Sequence, residues 1–163
     1  MHDSTLTSPD SYFEDFRVGQ RIRHARAATV DAVTGSFMAK NVMNTAQVHW
    51  NDRAERDDAL GPGFVVFGMI TASVIIGLAS HDTTSNSICE FEFTDFRFLA
   101  PVYQGDTLHA YSEVRSVQPH PERADVGIVE FVHWGLNQDD VVVFQGGRKA
   151  MVKRRASADG HRR

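Results

Sequence analysis

The run "FVVFGMITASVIIGLA", residues 64–79, constrains the chain more than any other feature. Wound as a helix it is apolar on nearly every side, the pattern of a helix enclosed by other structure rather than lying on a surface. It falls short of the roughly 20 residues a bilayer requires, and it carries Gly, Thr and Ser. A buried helix is therefore expected over 64–81, and no membrane span. "LGPG" (60–63) breaks the chain just before it. Gly68, Ala72, Gly77 and Ala79 are small. That smallness lets strands approach, although each glycine costs about 1 kcal/mol of helix propensity against alanine.

Beyond the helix the chain reads as strand after strand. "SICEFEFTDFRFLA" (87–100) alternates around Phe91, Phe93, Phe96 and Phe98. "LHAYSEVRSV" (108–117), "VGIVEFVHWGLN" (126–137) and "VVVFQGGRKAMVKR" (141–154) are three more β-rich runs. "PVYQGDT", "PHPER" and "QDD" supply the connections, with Asp106 stabilising the first. Ahead of the helix, a turn around Gly19 leads into a strand over Arg21–Ala28. Thr29 or Asp31 then caps a short helix, "DAVTGSFMAK". A polar loop (41–50) and a charged, helix-compatible stretch "NDRAERDDA" (51–59) come next. Residues 1–11 are expected to be a flexible leader, 12–153 one domain, and 154–163 a disordered basic tail.

Short turns between the strands point to an antiparallel meander. An α+β fold is expected, a curved antiparallel sheet wrapped around one long buried helix, which is the description of a hot-dog fold. A sheet with an open edge and one small helix is poorly covered alone, so a homodimer or higher homo-oligomer is expected. The net charge of −4 argues against nucleic acid as a partner. The single cysteine, Cys89, excludes an intrachain disulfide. "MHDSTLTSPDSYFEDF" has no apolar run, so it is not a secretory signal, and a cytoplasmic location is expected. His24, His109 and His133 lie in strands without metal-type spacing, so no metal is expected. His81-Asp82 resembles a dyad but falls where the long helix should end.

The loop "MNTAQVHWND" (43–52) holds one histidine, His49. Alone it reads as a solvated turn with an incidental imidazole. Together with "YFEDFRVGQRIRHA", "GFVVFGMITASVIIGLASHDTT" and "FRFLAPVYQGDTLHAYSEV", in that order, the chain resembles the MaoC-like (R)-specific enoyl-CoA hydratases and dehydratases over residues 12–153. The family's site reads Asp-x-Asn-Pro-(Leu or Ile)-His. Aligned on His49, the chain has Asn44 in place of the aspartate, Ala46 of the asparagine and Gln47 of the proline, with Val48 in the aliphatic position. At the helix start Phe67 replaces the family's histidine, while Gly68 is kept. The Asn-Thr version is similar to a sub-branch acting on branched or carboxylated enoyl-CoAs, the mesaconyl-CoA hydratases among them.

The resemblance implies a hydro-lyase that reversibly adds water to a short 2-enoyl thioester, with CoA or phosphopantetheine as part of the substrate and no separate cofactor. Such chemistry needs a base, a held water and a donor to the thioester oxygen. Histidine suits the first role, because its ordinary pKa of about 6.5 lies near working pH. His49 is the candidate base. Asn44 can orient the water through its amide but cannot exchange a proton. The Gly68 N–H, at a helix start, can face the thioester oxygen. Thr45, Gln47, Phe67, Met69 and Val66 are candidate substrate contacts. Asn44 is equally a turn residue and Gly68 equally a packing glycine. Arg148, Lys149 and Lys153 can meet the phosphates of the carrier arm, or form a solvated strand end. The alternatives are a thioesterase on the same fold, an enzyme of secondary metabolism acting on a carrier-protein-bound enoyl chain, and a non-catalytic protein that binds an acyl thioester.

Overall fold

The computed structural model describes residues 1–6, 11–51 and 63–155. Its strands are β1 (His2–Asp3), β2 (Arg21–Thr29), β3 (Ser87–Phe98), β4 (Thr107–Pro119), β5 (Val126–Leu136) and β6 (Val142–Lys153). Its α-helices are α1 (Met38–Asn41), preceded by a π-helical turn over Val33–Phe37, and α2 (Gly68–Thr83). They form one six-stranded sheet in the order β1-β2-β4-β5-β6-β3, which curls around α2. The architecture is the α+β hot-dog expected from the strand and helix pattern.

The meander holds for β4, β5 and β6, which pair antiparallel through short turns. It fails for β3. That strand pairs antiparallel with β6, not with its sequence neighbour β4. The segment 99–106 carries the chain to the other side of the sheet, and its middle is pinned to the start of α2. There Val66 N–H donates to the Val102 carbonyl at 2.7 Å, and Val65 bridges Tyr103. Asp106 closes the turn by accepting the Tyr103 N–H at 2.8 Å. β3 bends at a bulge where Asp95 has φ 53°, a left-handed conformation that interrupts the ladder between Thr94 and Arg97.

Residues 1–6 are not merely trailing chain: His2 and Asp3 pair in parallel with Ile22 and Arg23. At the other end the Arg155 guanidinium meets the Asp15 carboxylate. The stretch 52–62, including most of "NDRAERDDA" and "LGPG", and the tail 156–163 lie outside the described residues. Among the described residues no helix is long and apolar enough to cross a membrane.

The long helix was expected to be enclosed on all sides, and in the single chain it is enclosed on one. Ile70, Ala72, Ile75 and Ala79 are buried against the sheet. Met69 is 45% exposed, and Ser73 and Gly77 are open as well. The cause is geometric: a sheet of this width curls around one flank of a 16-residue helix and leaves the other free. Gly77 faces open space, so close approach depends on the sheet instead. A Cβ at Gly135 would sit 2.5 Å from the Ile75 side chain, so helix and sheet touch only because β5 lacks a side chain there.

The apolar core falls into two clusters. One, with Ile70, Ile75, Leu108 and Phe144, lies under the first turns of α2; the other, with Phe13, Phe16, Val129 and Phe131, lies beyond its end. A row of buried polar side chains, one from each successive strand, passes beneath the end of α2. His24 on β2 bonds Ser112 on β4 at 2.7 Å, and Ser112 bonds His133 on β5 at 2.6 Å. Arg148 on β6 donates from Nε to His133 Nε2 at 3.1 Å and from Nη1 to Glu90 on β3 at 2.9 Å. The end of α2 supplies Asp82, which meets His24 Nδ1 at 2.6 Å, and Thr83, which accepts from Arg148 Nη2. Asp82 thus pairs with His24 and not with its neighbour His81.

Candidate active site

A cleft of about 450 Å³ opens where the polar loop, the start of α2 and the end of β3 converge. His49, Phe67, Gly68, Thr71 and Phe98 line it. Three local features build it. Met43, at φ 54°, ends α1 in the left-handed conformation usually reserved for glycine and turns the chain into the loop. Asn44 then steadies that loop. Its Oδ1 accepts the Ala46 N–H at 2.8 Å, an Asx-turn, and its carbonyl accepts the Trp50 indole N–H at 3.1 Å. A 3-10 turn, Gln47–His49, finally delivers the imidazole.

His49 is held by one bond whose direction fixes its chemistry. Nδ1 lies 2.8 Å from the Val65 carbonyl. A carbonyl only accepts, so Nδ1 carries a proton, and in the neutral ring the lone pair lies on Nε2. The ring also packs against Phe67, centroid to centroid 5.3 Å. Phe67 thus takes the position of a wall beside the imidazole.

Opposite the loop stands the start of α2. Its N-cap residue, Phe67, makes no side-chain cap bond. The first N–H groups of a helix have no intrahelical acceptor, so the Gly68 N–H, at the partly positive helix start, has none within α2, and Gly68 lines the cleft. Phe98 lies across Gly68: a Cβ there would be 3.0 Å from the ring. The absent side chain therefore sets how deeply the cleft penetrates between ring and helix.

The structure brings together His49, Val66, Phe67 and Gly68 of the sequence candidates. Asn44, Thr45 and Gln47 are not among the residues lining the cleft. Asn44 spends its Oδ1 on the loop, Thr45 is exposed, and the Gln47 carbonyl oxygen accepts from Asn51. Met69 faces the other flank of α2, in a second groove with Ile76, Phe93 and Phe96. A helix turns about 100° per residue, so Gly68 and Met69 cannot share a wall. Arg148 cannot meet a carrier phosphate: its side chain is wholly buried, and Lys149 pairs with Glu92 at 2.7 Å.

Sequence reading missed Thr71, Phe98, Leu99, Ala100, Val102 and Val143 as lining residues. Phe98 to Val102 owe their place to the crossover of β3, which pattern does not encode. Thr71 carried one signal, a hydroxyl three residues beyond Gly68 and so on the same side of the helix. Among the described residues no three or more His, Cys, Asp or Glu side chains gather in a metal-like group.

Comparisons with known proteins agree with this fold. The family model described as mesaconyl-CoA hydratase matches residues 3–154. A mesaconyl-CoA hydratase of Haloarcula marismortui is 34% identical over 94% of this chain and 45% of its own length. The chain thus spans about half the length of the curated relatives it matches. The crystal structure of a MaoC domain protein dehydratase from Chloroflexus aurantiacus superposes with a TM-score of 0.82 at 28% identity, covering 93% of this chain and 43% of that one. A MaoC-like dehydratase from Rhodospirillum rubrum does so with a TM-score of 0.75 at 26% identity, covering 88% and 97%. A loop histidine facing a helix start, on this sheet order and with these relatives, places the chain in the mesaconyl-CoA hydratase family of MaoC-like hot-dog proteins.

Proposed function

We propose that this chain hydrates a short 2-enoyl thioester reversibly, with His49 as the acid and base and the Gly68 N–H as the donor to the thioester oxygen. The observation that carries the reading is the His49 Nδ1 bond to the Val65 carbonyl, which leaves Nε2 as a base in the cleft bounded by the start of α2. Water gives one proton to Nε2 as its oxygen bonds to C3 of the alkene. The electron pair moves to the thioester oxygen, where a preorganised donor at a helix start is worth a factor of roughly 10² to 10³ in rate. The imidazolium then returns its proton to C2, so the base is regenerated. Asn44 serves by fixing the loop that presents His49. Phe67, Val66 and Phe98 form an apolar wall suited to a short, straight or branched acyl group. CoA or the phosphopantetheine of a carrier protein is part of the substrate.

A second copy of the chain is the proposed partner. The open flank of α2 and the exposed Phe91 and Phe93 of edge strand β3 favour it, because they leave apolar surface uncovered. A monomeric mass by light scattering would remove this part of the reading.

The test is a panel of enoyl-CoAs, straight, 2-methyl, 3-methyl and carboxylated, scored by mass spectrometry for the gain of one water. Gain by any member supports hydration. Release of free thiol instead would make the protein a thioesterase. Binding with neither outcome would leave a non-catalytic acyl-thioester protein.

A further inference from the structure

We infer that the Thr71 hydroxyl is a further catalytic group, the second anchor of the attacking water. The inference rests on the hydration proposed above and names a residue that it lacked. A water poised for addition must hand one hydrogen to the base and rest the other on an acceptor, so that a lone pair points at C3. His49 Nε2 takes the first hydrogen. The loop residue expected to hold the second, Asn44, does not line the cleft and has its carbonyl oxygen committed to Ala46.

Thr71 fills that role on three grounds. It lines the same cleft as His49. It is only 2% exposed, yet its hydroxyl has no hydrogen-bond partner among the described residues. Ser73, Ser80, Thr83 and Thr84, the other hydroxyl residues of this helix and its cap, all donate to a carbonyl one turn back. Nor is the Thr71 oxygen among the side-chain polar atoms sealed from solvent without a partner, so the little surface that Thr71 exposes includes its oxygen. The open space beside it is the cleft. A hydroxyl that has no partner among the described residues and opens onto the cleft is free to accept a hydrogen bond from a water or a substrate hydroxyl.

Position agrees. Thr71 lies three residues after Gly68, on the same side of α2 and about 4.5 Å further along its axis. The thioester oxygen at Gly68 N–H and the water at Thr71 Oγ1 are thereby spread along the helix, as C1 and C3 of an enoyl group are spread along the chain. In the addition itself Thr71 changes no bond. It accepts a hydrogen bond from the water before attack and from the new 3-hydroxyl after it.

Thr71→Val keeps the shape and removes the oxygen, and Thr71→Ser keeps the oxygen. With the best substrate of the panel, Thr71→Val should lower kcat about 100-fold with KM changed less than about 3-fold, while Thr71→Ser stays within about 5-fold of wild type. Calorimetric binding gives a readout without turnover. On a His49→Gln background, which cannot dehydrate the ligand, the parent and its Thr71→Ser form should prefer a 3-hydroxyacyl-CoA over the matching saturated acyl-CoA by roughly 5-fold, and the Thr71→Val form should show no preference. An active wild type with Thr71→Val equal to its parent in both assays overturns the inference and leaves the hydration reading intact. A wild type that hydrates nothing overturns the reading, and the inference falls with it.

Discussion

Replacing Arg148 by methionine tests whether the buried polar row holds the two apolar clusters together. The guanidinium is fully buried and donates to His133, Thr83 and Glu90. Burial lowers its pKa to about 10 despite the pull of Glu90, so it is still a cation at neutral pH. Removing one partner of a buried pair costs about 3–5 kcal/mol. Glu90 is 28% exposed and so partly hydrated once stranded, which places the expected loss near the lower end, about 3 kcal/mol. With a urea m-value of about 2 kcal/mol/M, the unfolding midpoint should fall by about 1.5 M, read by the fluorescence of Trp50 and Trp134. Adding Glu90→Gln to that variant removes the stranded charge and should recover about 1 kcal/mol. A midpoint within about 0.3 M of wild type for Arg148→Met would refute the reasoning.

Two further outcomes concern His133 and Gly68. Burial and the neighbouring Arg148 charge hold the His133 pKa well below its ordinary value, because Arg148 has only donors and needs a neutral Nε2 to accept from it. The folded state therefore prefers neutral His133. Its contribution is intact above about pH 6.5 and declines below that by up to about 1.4 kcal/mol per pH unit. Urea midpoints from pH 7.5 to 5.5 should fall less steeply for His133→Gln than for wild type, and parallel profiles would sink the assignment. Gly68→Ala places a Cβ 3.0 Å from the Phe98 ring, which must move by a few tenths of an ångström. We expect stability within about 1 kcal/mol of wild type, because Phe98 is half-exposed and can yield, but kcat/KM lower by about tenfold. An unchanged kcat/KM would mean that the ring and the helix start do not bound the substrate.

The elements of the fold were legible because each is written in local pattern. The apolar run 64–79 announced α2, although the helix begins only at Gly68; alternation announced β3, and β-rich composition announced β4 to β6. Strand order was not legible at β3, since its pairing with β6 depends on a crossover pinned by Val66 and Val102. His49 and Gly68 could be singled out together because the loop, the helix start and the Gly-Asp-Thr turn occur in a recognisable order. Met69 could not be placed, because in a helix apolar on all sides nothing local says which flank faces the sheet. Arg148 read as a strand-end cation beside Lys149. Its real surroundings, His133, Thr83 and Glu90, come from three other elements far apart in the chain. Thr71 was passed over for a related reason: a threonine among aliphatics looks like filler until its surroundings show that no described residue bonds its hydroxyl.

The central claim is that His49 Nε2 activates water inside the cleft. The most direct measurement incubates wild type and His49→Gln with the preferred enoyl-CoA in water enriched in heavy oxygen and follows the label in the product by mass spectrometry. We predict that wild type places one labelled oxygen at C3. The glutamine variant should retain its fold and acyl-CoA binding while incorporation slows by at least about 10³-fold, the loss expected of an acid and base used in both proton steps. Incorporation by His49→Gln at a rate close to that of wild type would contradict the account.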